Sequence, residues 1–66
     1  MRQVSNDKFA ASHGKSPRGT GCWWFGNRSE SWTWRTPTAM NVTEAKKAAV
    51  KQANSDGMFE TVFVMP

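Results

Sequence analysis

The sequence has few residues that could bind a metal or form a disulfide bond. It contains one cysteine, Cys22, and one histidine, His13, among 66 residues. A single cysteine excludes an internal disulfide, and these two residues alone cannot supply the four ligands of a tetrahedral zinc site. We therefore expect no metal or other cofactor, and we expect a reducing, cytoplasmic environment.

Long hydrophobic runs are also missing. No apolar run approaches about 18 residues, so the sequence predicts no transmembrane helix and no membrane partner. Residues 1–20 contain no hydrophobic stretch, so we expect no secretory signal. A chain of 66 residues is long enough for one small domain.

Charge is unevenly distributed along the chain, which carries a net charge of +4. Residues 1–20 hold four basic residues and one acidic residue, whereas residues 21–66 hold five basic and four acidic residues. We therefore predict a flexible basic arm over 1–20 and a folded domain over 21–66. In the alternative, a short strand or helical turn around residues 7–12 lays Phe9 on the domain.

The aromatic stretch 22–35 holds all four tryptophans and predicts a β-hairpin with strands at 22–26 and 31–36. A loop centred on Arg28 and Ser29 places Phe25 opposite Trp32 and Trp24 opposite Thr33. Gly26 and Asn27 tolerate positive φ and suit the turn. Pro37 ends the second strand because it cannot donate to a sheet ladder.

This register assigns the hairpin side chains to two faces, because side chains alternate along a strand. Directly facing aromatic pairs stabilise one face, which consists of Trp23, Phe25, Trp32 and Trp34. The opposite face carries Cys22, Trp24, Thr33 and Arg35. A loop one residue longer or shorter would exchange Trp24 with Trp23 and Phe25 between the faces.

A helix is predicted over 41–56. Asn41 and Glu44 have the spacing of a capping box, and Gly57 suits a left-handed C-cap. Small and apolar residues recur at three- and four-residue steps and form one stripe, namely Val42, Ala45, Ala49 and Ala53. The alanines would let the helix approach the bulky side chains of the sheet closely.

The last strand is predicted over 58–65, with Val62 and Val64 turned towards the helix. The expected fold is a small α+β domain of ββαβ type. Its three-stranded antiparallel sheet has the order 2-1-3, with one helix on one face and the other face open. If Phe59 and Phe63 turn outward, they extend the open face.

Catalytic constellations are not evident in the sequence, so we expect a protein that is not an enzyme. The acidic residues are scattered over turn, helix ends and strand, and none is paired for acid–base chemistry. His13 and Cys22 lack a third orienting group. The more informative feature is the open face, where Trp24, Arg28 and Arg35 have the composition of an interface hot spot. Lys15 and Arg18 of the arm would add electrostatic steering.

Two classes of partner fit this surface. A protein partner is the leading expectation. Nucleic acid is the alternative, because sheet aromatics can stack single-stranded bases while basic residues follow the backbone. We expect a monomer or a weak homodimer formed through an exposed strand edge.

Three segments carry a resemblance to very small proteins encoded by bacteriophages: residues 24–26, residues 43–49 and residues 62–66. The element order is similar to that of the T-odd phage inhibitors of host RNA polymerase, which block transcription. Those inhibitors rely on an acidic strip, whereas this chain is basic, so the resemblance concerns topology and does not carry over their target. The helix also resembles the one that follows the sheet in arm-type DNA-binding domains of phage integrases, which have three strands before it. The resemblance implies a phage or prophage protein that acts in the cytoplasm of a bacterial host cell, where it binds and inhibits a host macromolecule. A host protein is the leading expectation for that partner.

Overall fold

The computed structural model describes residues 4–66 and shows an α+β fold. In chain order its elements are β1 (Val4–Ser5), α1 (Asp7–His13), β2 (Thr20–Gly21), β3 (Trp24–Gly26), β4 (Thr33–Arg35), β5 (Met40–Asn41), α2 (Val42–Ser55) and β6 (Val62–Val64). The larger sheet is mixed and has the order β1-β6-β3-β4, while β2 and β5 form a separate antiparallel pair. The α+β class is confirmed, but the predicted three-stranded antiparallel sheet with one helix does not match.

The difference lies mainly in β1, which adds a fourth strand parallel to β6. The other three strands of this sheet, β4, β3 and β6, are neighbours in the predicted order, and both of their pairings are antiparallel. Val4 lies opposite Val62, and Ser5 lies opposite Phe63. A strand of two residues with one apolar side chain has no alternating pattern, so β1 could not be predicted from hydrophobic periodicity.

The hairpin register differs from the prediction by two residues. Phe25 lies opposite Trp34 and Trp24 opposite Arg35, so the predicted partners Trp32 and Thr33 were wrong. Because side chains alternate with a period of two, a shift of two residues leaves the side chains of β3 and β4 on their predicted faces. Both strands are also shorter than predicted.

Asn27 is the physical cause of the new register. Its backbone N–H donates to the Trp32 carbonyl at 3.2 Å, and its side-chain oxygen accepts from the Trp32 N–H at 3.1 Å. Asn27 is fully buried. Pairing Asn27 with Trp32 leaves residues 28–31 as the loop. The left-handed residue of this loop is Glu30, with φ of 60°, and not Gly26 or Asn27 as expected.

Helix α2 begins and ends at the predicted caps, although the Asn41 side chain bonds Thr43 and not Glu44, which a capping box requires. The side-chain oxygen of Asn41 accepts from the Thr43 N–H at 2.7 Å, which is an N-cap bond. At the other end Gly57 is left-handed with φ of 73°, its N–H donates to Asn54, and the Met58 N–H donates to Ala53. These two bonds form a Schellman motif.

The core lies between α2 and one face of the larger sheet. The predicted stripe is buried, and its three alanines pack with Phe25, Val62 and Val64. The inward orientation of Val62 and Val64 is therefore confirmed. Residues 58–61 were expected in this strand but precede it, and Phe59 is 74% exposed outside the sheet.

The amino-terminal segment takes the docked form that the sequence allowed as the alternative to a flexible arm. Residues 1–3 of the predicted arm lie outside the described residues. Phe9 of α1 is half-buried and stacks on His13, with ring centroids 4.2 Å apart, and it also contacts Trp23 at 5.9 Å. Pro17 is buried as well. Between residues 4 and 66, neither helix has the length and apolar character that crossing a membrane requires.

Candidate functional site

The sheet face opposite α2 carries most of the residues predicted to bind a partner. Phe63 lies opposite Gly26, and Trp24 lies opposite Arg35. Phe25, Val62 and Val64 pack with α2. Their neighbours along the strands point to the opposite face, so Trp24 and Phe63 lie on the side away from α2. Arg35, the cross-strand partner of Trp24, lies on the same side. We call this surface the hairpin face, and it consists of Trp24, Arg28, Thr33, Arg35 and Phe63.

Phe63 does not extend the exposed aromatic patch. It is only 3% exposed, because two cationic side chains cover its ring. The Lys8 ammonium lies 5.1 Å from the ring centroid and the Arg28 guanidinium lies 5.2 Å from it. Both distances are in the range of a cation–π interaction. Lys8 also donates to the Arg28 carbonyl at 2.9 Å, which ties α1 to the hairpin loop.

Beside the Phe63 ring, α1 and the hairpin form the walls of a groove of about 600 Å³ that is open to solvent. We call it the α1–hairpin groove, and it is lined by Lys8, Ala11, Ser12, Trp24, Glu30, Met65 and Pro66. Its apolar wall combines the half-buried Trp24 with the buried Met65. Its polar groups include the Lys8 ammonium, the Ser12 hydroxyl and the Glu30 carboxylate. The groove therefore offers an apolar surface together with hydrogen-bond donors and hydrogen-bond acceptors.

Arg35 stands beside this groove, as the cross-strand partner of Trp24. Arg35 is exposed. Arg28 is also exposed, although its guanidinium lies over the Phe63 ring. Three cations thus lie on the same side of the sheet as the half-buried Trp24: Lys8 and Arg28 over Phe63, and Arg35 opposite Trp24. In a small domain with a net charge of +4, such a grouping makes this side of the sheet attractive to anionic ligands.

Lys15 and Arg18 lie in a different part of the fold. Both are exposed in the segment between α1 and β2. The Gly19 carbonyl, directly after Arg18, accepts from the Val42 N–H at 3.0 Å. This bond holds the end of the segment at the start of α2, which packs on the opposite face of the sheet. The structure therefore does not join Arg18 to the hairpin face.

Sequence reasoning did not assign Lys8, Ser12 or Glu30 to the site. Lys8 and Ser12 were missed because a helical turn around residues 7–12 was only the alternative to a flexible arm. A signal was present. Lys8, Ala11 and Ser12 are spaced by three and four residues, as on one helix face, and Phe9 and His13 are spaced by four. Gly14 is left-handed with φ of 72° and ends the helix.

The described part of the chain offers little support for a metal site or for catalysis by Cys22 and His13. Residues 4–66 contain no group of three or more His, Cys, Asp or Glu side chains that could hold a metal ion. Cys22 is exposed and free, and His13 stacks on Phe9. Asp56 accepts from Trp32 and Gln52, and these hydrogen bonds, the Trp32 bond first, lower the pKa of its carboxyl. That contact joins the hairpin loop to the end of α2, away from the groove.

A scan of protein-family models, a search of curated proteins and a search of solved structures each return no match for this chain. The assignment of the site therefore depends on the geometry of the hairpin face and the α1–hairpin groove.

Proposed function

We propose that this protein is a non-enzymatic binding module that recognises a host macromolecule through the hairpin face and the α1–hairpin groove. The observation that carries the proposal is the placement of Trp24. Its indole is half-buried in the wall of an open groove, and it faces the exposed Arg35 across the strand pair. Tryptophan and arginine at the centre of a surface are the residue types that dominate binding energy at interfaces.

The shape of the site also supports binding rather than catalysis. The groove is open to solvent, whereas catalysis needs groups that converge in a site protected from water. A groove with an apolar wall, a few polar groups and a cationic border is suited to hold an extended chain or a flat ring. Phage or prophage origin and inhibition of the host target belong to this proposal on the strength of the resemblance alone.

A paired selection experiment tests the proposal without knowledge of the partner. The full chain is immobilised through an amino-terminal tag and presented with a library of random peptides and a library of random single-stranded oligonucleotides. A variant with Trp24→Leu and Arg35→Gln removes the site. A matched variant with Phe59→Ser and Lys47→Gln removes one exposed aromatic residue and one exposed cation elsewhere.

We expect one library to enrich on the wild-type chain and on the matched variant but not on the site variant. Equal enrichment on all three proteins would show that binding does not use this surface. Enrichment on none of them would contradict the proposed function. Circular dichroism of each variant checks that the fold is retained.

A further inference from the structure

The arrangement of charge around Trp24 identifies a class of partner for the site. Two cations, Lys8 and Arg28, converge on one side of the indole-bearing strand at Phe63, and Arg35 lies directly opposite Trp24. An aromatic side chain flanked by cations can stack on a base while the cations contact neighbouring phosphates. We propose that the hairpin face and the α1–hairpin groove bind single-stranded nucleic acid, an inference that rests on the proposed function of this surface.

Charge complementarity favours a polyanion over a neutral peptide. Lys8 and Arg28 bring two positive charges against the same ring, with centroid distances of 5.1 Å and 5.2 Å. Like charges held close together repel one another, and a bound phosphate between or beside them relieves that repulsion. The chain as a whole carries +4, which adds long-range attraction to a polyanion.

The form of the aromatic surface favours a single strand over a duplex. Trp24 is half-buried, so only part of its ring is open to a ligand. A base within a duplex is stacked on both sides and cannot reach a ring in a groove, whereas an unpaired base can turn out and stack. The remaining groove groups suit a base edge. The Ser12 hydroxyl can donate or accept, and the Glu30 carboxylate can accept from an exocyclic amino group.

Sequence-independent contacts of this kind should dominate the affinity. Three cations on the backbone of a single strand give an expected slope of log affinity against log salt of about −2. Stacking on Trp24 should contribute an affinity factor of about five or more. Little preference among base sequences is expected, because every base has a ring face that can stack.

The test is a fluorescence-anisotropy titration of a fluorescein-labelled twelve-residue oligodeoxythymidylate with the full chain at several salt concentrations. A blunt duplex of the same length is the comparison ligand. We expect the single strand to bind more tightly than the duplex. Arg35→Gln should make the salt slope shallower by about 0.7, because one phosphate contact is lost. Trp24→Leu should weaken binding by about fivefold or more with the slope unchanged.

Lys47→Gln is the matched control for charge. Lys47 is exposed on α2, on the opposite side of the sheet, and its replacement removes the same formal charge as Arg35→Gln. An unchanged slope in this variant supports a localised site. If Lys47→Gln and Arg35→Gln alter the slope equally, binding is diffuse and the proposed site is wrong.

The remaining outcomes separate this inference from the proposed function. Absence of binding to the single strand at low salt, or tighter binding of the duplex, overturns the nucleic-acid inference. In that case, enrichment of peptides on the wild-type chain but not on the Trp24→Leu, Arg35→Gln variant would leave the proposed function standing with a protein partner. Failure of both the oligonucleotide and the peptides would end both proposals.

Discussion

Trp32 and Asp56 are 24 residues apart in sequence and are joined by a hydrogen bond of 2.9 Å from the indole Nε1 to the carboxylate Oδ2. The bond links the end of the hairpin loop to the C-cap of α2. Gln52 donates to the other carboxylate oxygen at 3.0 Å. Asp56 is thus a junction between the helix and the hairpin, although its carboxylate lies at the negative end of the helix dipole.

The first prediction concerns pH. The hydrogen bonds from Trp32 and Gln52 lower the pKa of Asp56 in the folded state. Its charged form therefore stabilises the fold above the unfolded pKa of about 3.9, and this contribution is lost as pH falls through the lower folded pKa. Asp56→Asn cannot ionise, so its melting temperature should fall less than that of the wild type between about pH 6 and about pH 2.

Thermal unfolding followed by circular dichroism across that pH range measures the difference. Trp32→Phe removes the donor with the largest effect on the carboxyl and keeps an aromatic ring, so it should reproduce part of the reduced pH dependence. Parallel melting-temperature curves for wild type and Asp56→Asn would contradict the role assigned to Asp56.

The second prediction concerns Gly26, which is buried in β3. A Cβ atom at this position would lie 3.2 Å from the Trp32 carbonyl oxygen and 3.3 Å from the Met65 sulfur. The backbone oxygen cannot move aside without disturbing the hairpin. Gly26→Ala should therefore destabilise the fold by about 1–3 kcal/mol through overpacking.

Urea denaturation measures this cost, and Gly21→Ala is the matched control. Gly21 lies in β2 with nothing within 4 Å of an added Cβ. Its replacement should change the free energy of unfolding by no more than about 0.5 kcal/mol. Equal effects at both positions would show that the close approach at Gly26 is not the cause.

The third prediction concerns Asn27, the buried residue that fixes the register. Its side-chain nitrogen donates to Ser31 at 2.9 Å, and its oxygen accepts from Trp32. Asn27→Ala removes both bonds and leaves the half-buried Trp32 N–H without its acceptor, so it should cost about 1–3 kcal/mol. Ser29→Ala, in the exposed part of the loop, should change stability by no more than about 0.5 kcal/mol.

Asn27→Asp tests the electrostatics of the same position. The amide nitrogen lies 3.4 Å from a carboxylate oxygen of Glu60. An aspartate here would replace that donor with a second negative charge, so the variant should be less stable at neutral pH than in mild acid. Denaturation midpoints at about pH 7 and about pH 5 compare the two conditions. A variant equally stable at both values would contradict this account of the loop.

Helix α2 was the most predictable part of the fold because its signals are local. The Asn41 cap, the alanine stripe and Gly57 each act within a few residues, and each was found as expected. The faces of the hairpin were also predictable. The observed register differs from the predicted one by two residues, and an even difference leaves each strand residue on the same face. The register itself depended on the burial of Asn27, which a turn propensity does not reveal.

The candidate site was predictable only in part. Trp24, Arg28 and Arg35 follow from the hairpin pattern, and the structure brings them to one side of the sheet. The groove depends on α1, a helix of seven residues whose stability comes from tertiary contacts rather than from propensity. Lys8 and Glu30 could therefore not be placed beside Trp24 from the sequence, and Arg18 could not be separated from it.

The fourth prediction decides whether the amino-terminal segment is part of the folded domain. Phe9 is half-buried against His13 and Trp23, whereas Phe59 is 74% exposed. Because Phe9 is half-buried, Phe9→Ala should cost about 1–2 kcal/mol, less than for a fully buried phenylalanine. Phe59→Ala removes the same side chain from an exposed position and should change stability by no more than about 0.5 kcal/mol.

Urea denaturation of both variants, followed by near-ultraviolet circular dichroism, measures stability together with the packing of the four tryptophans, Trp23 among them. A loss of tertiary signal in Phe9→Ala alone would place α1 in the cooperative unit. Identical unfolding curves for the two variants would instead support the flexible arm. In that case Lys8 would not be held over Phe63, the α1–hairpin groove would lose one wall, and Trp24 and Arg35 would be left as an open surface.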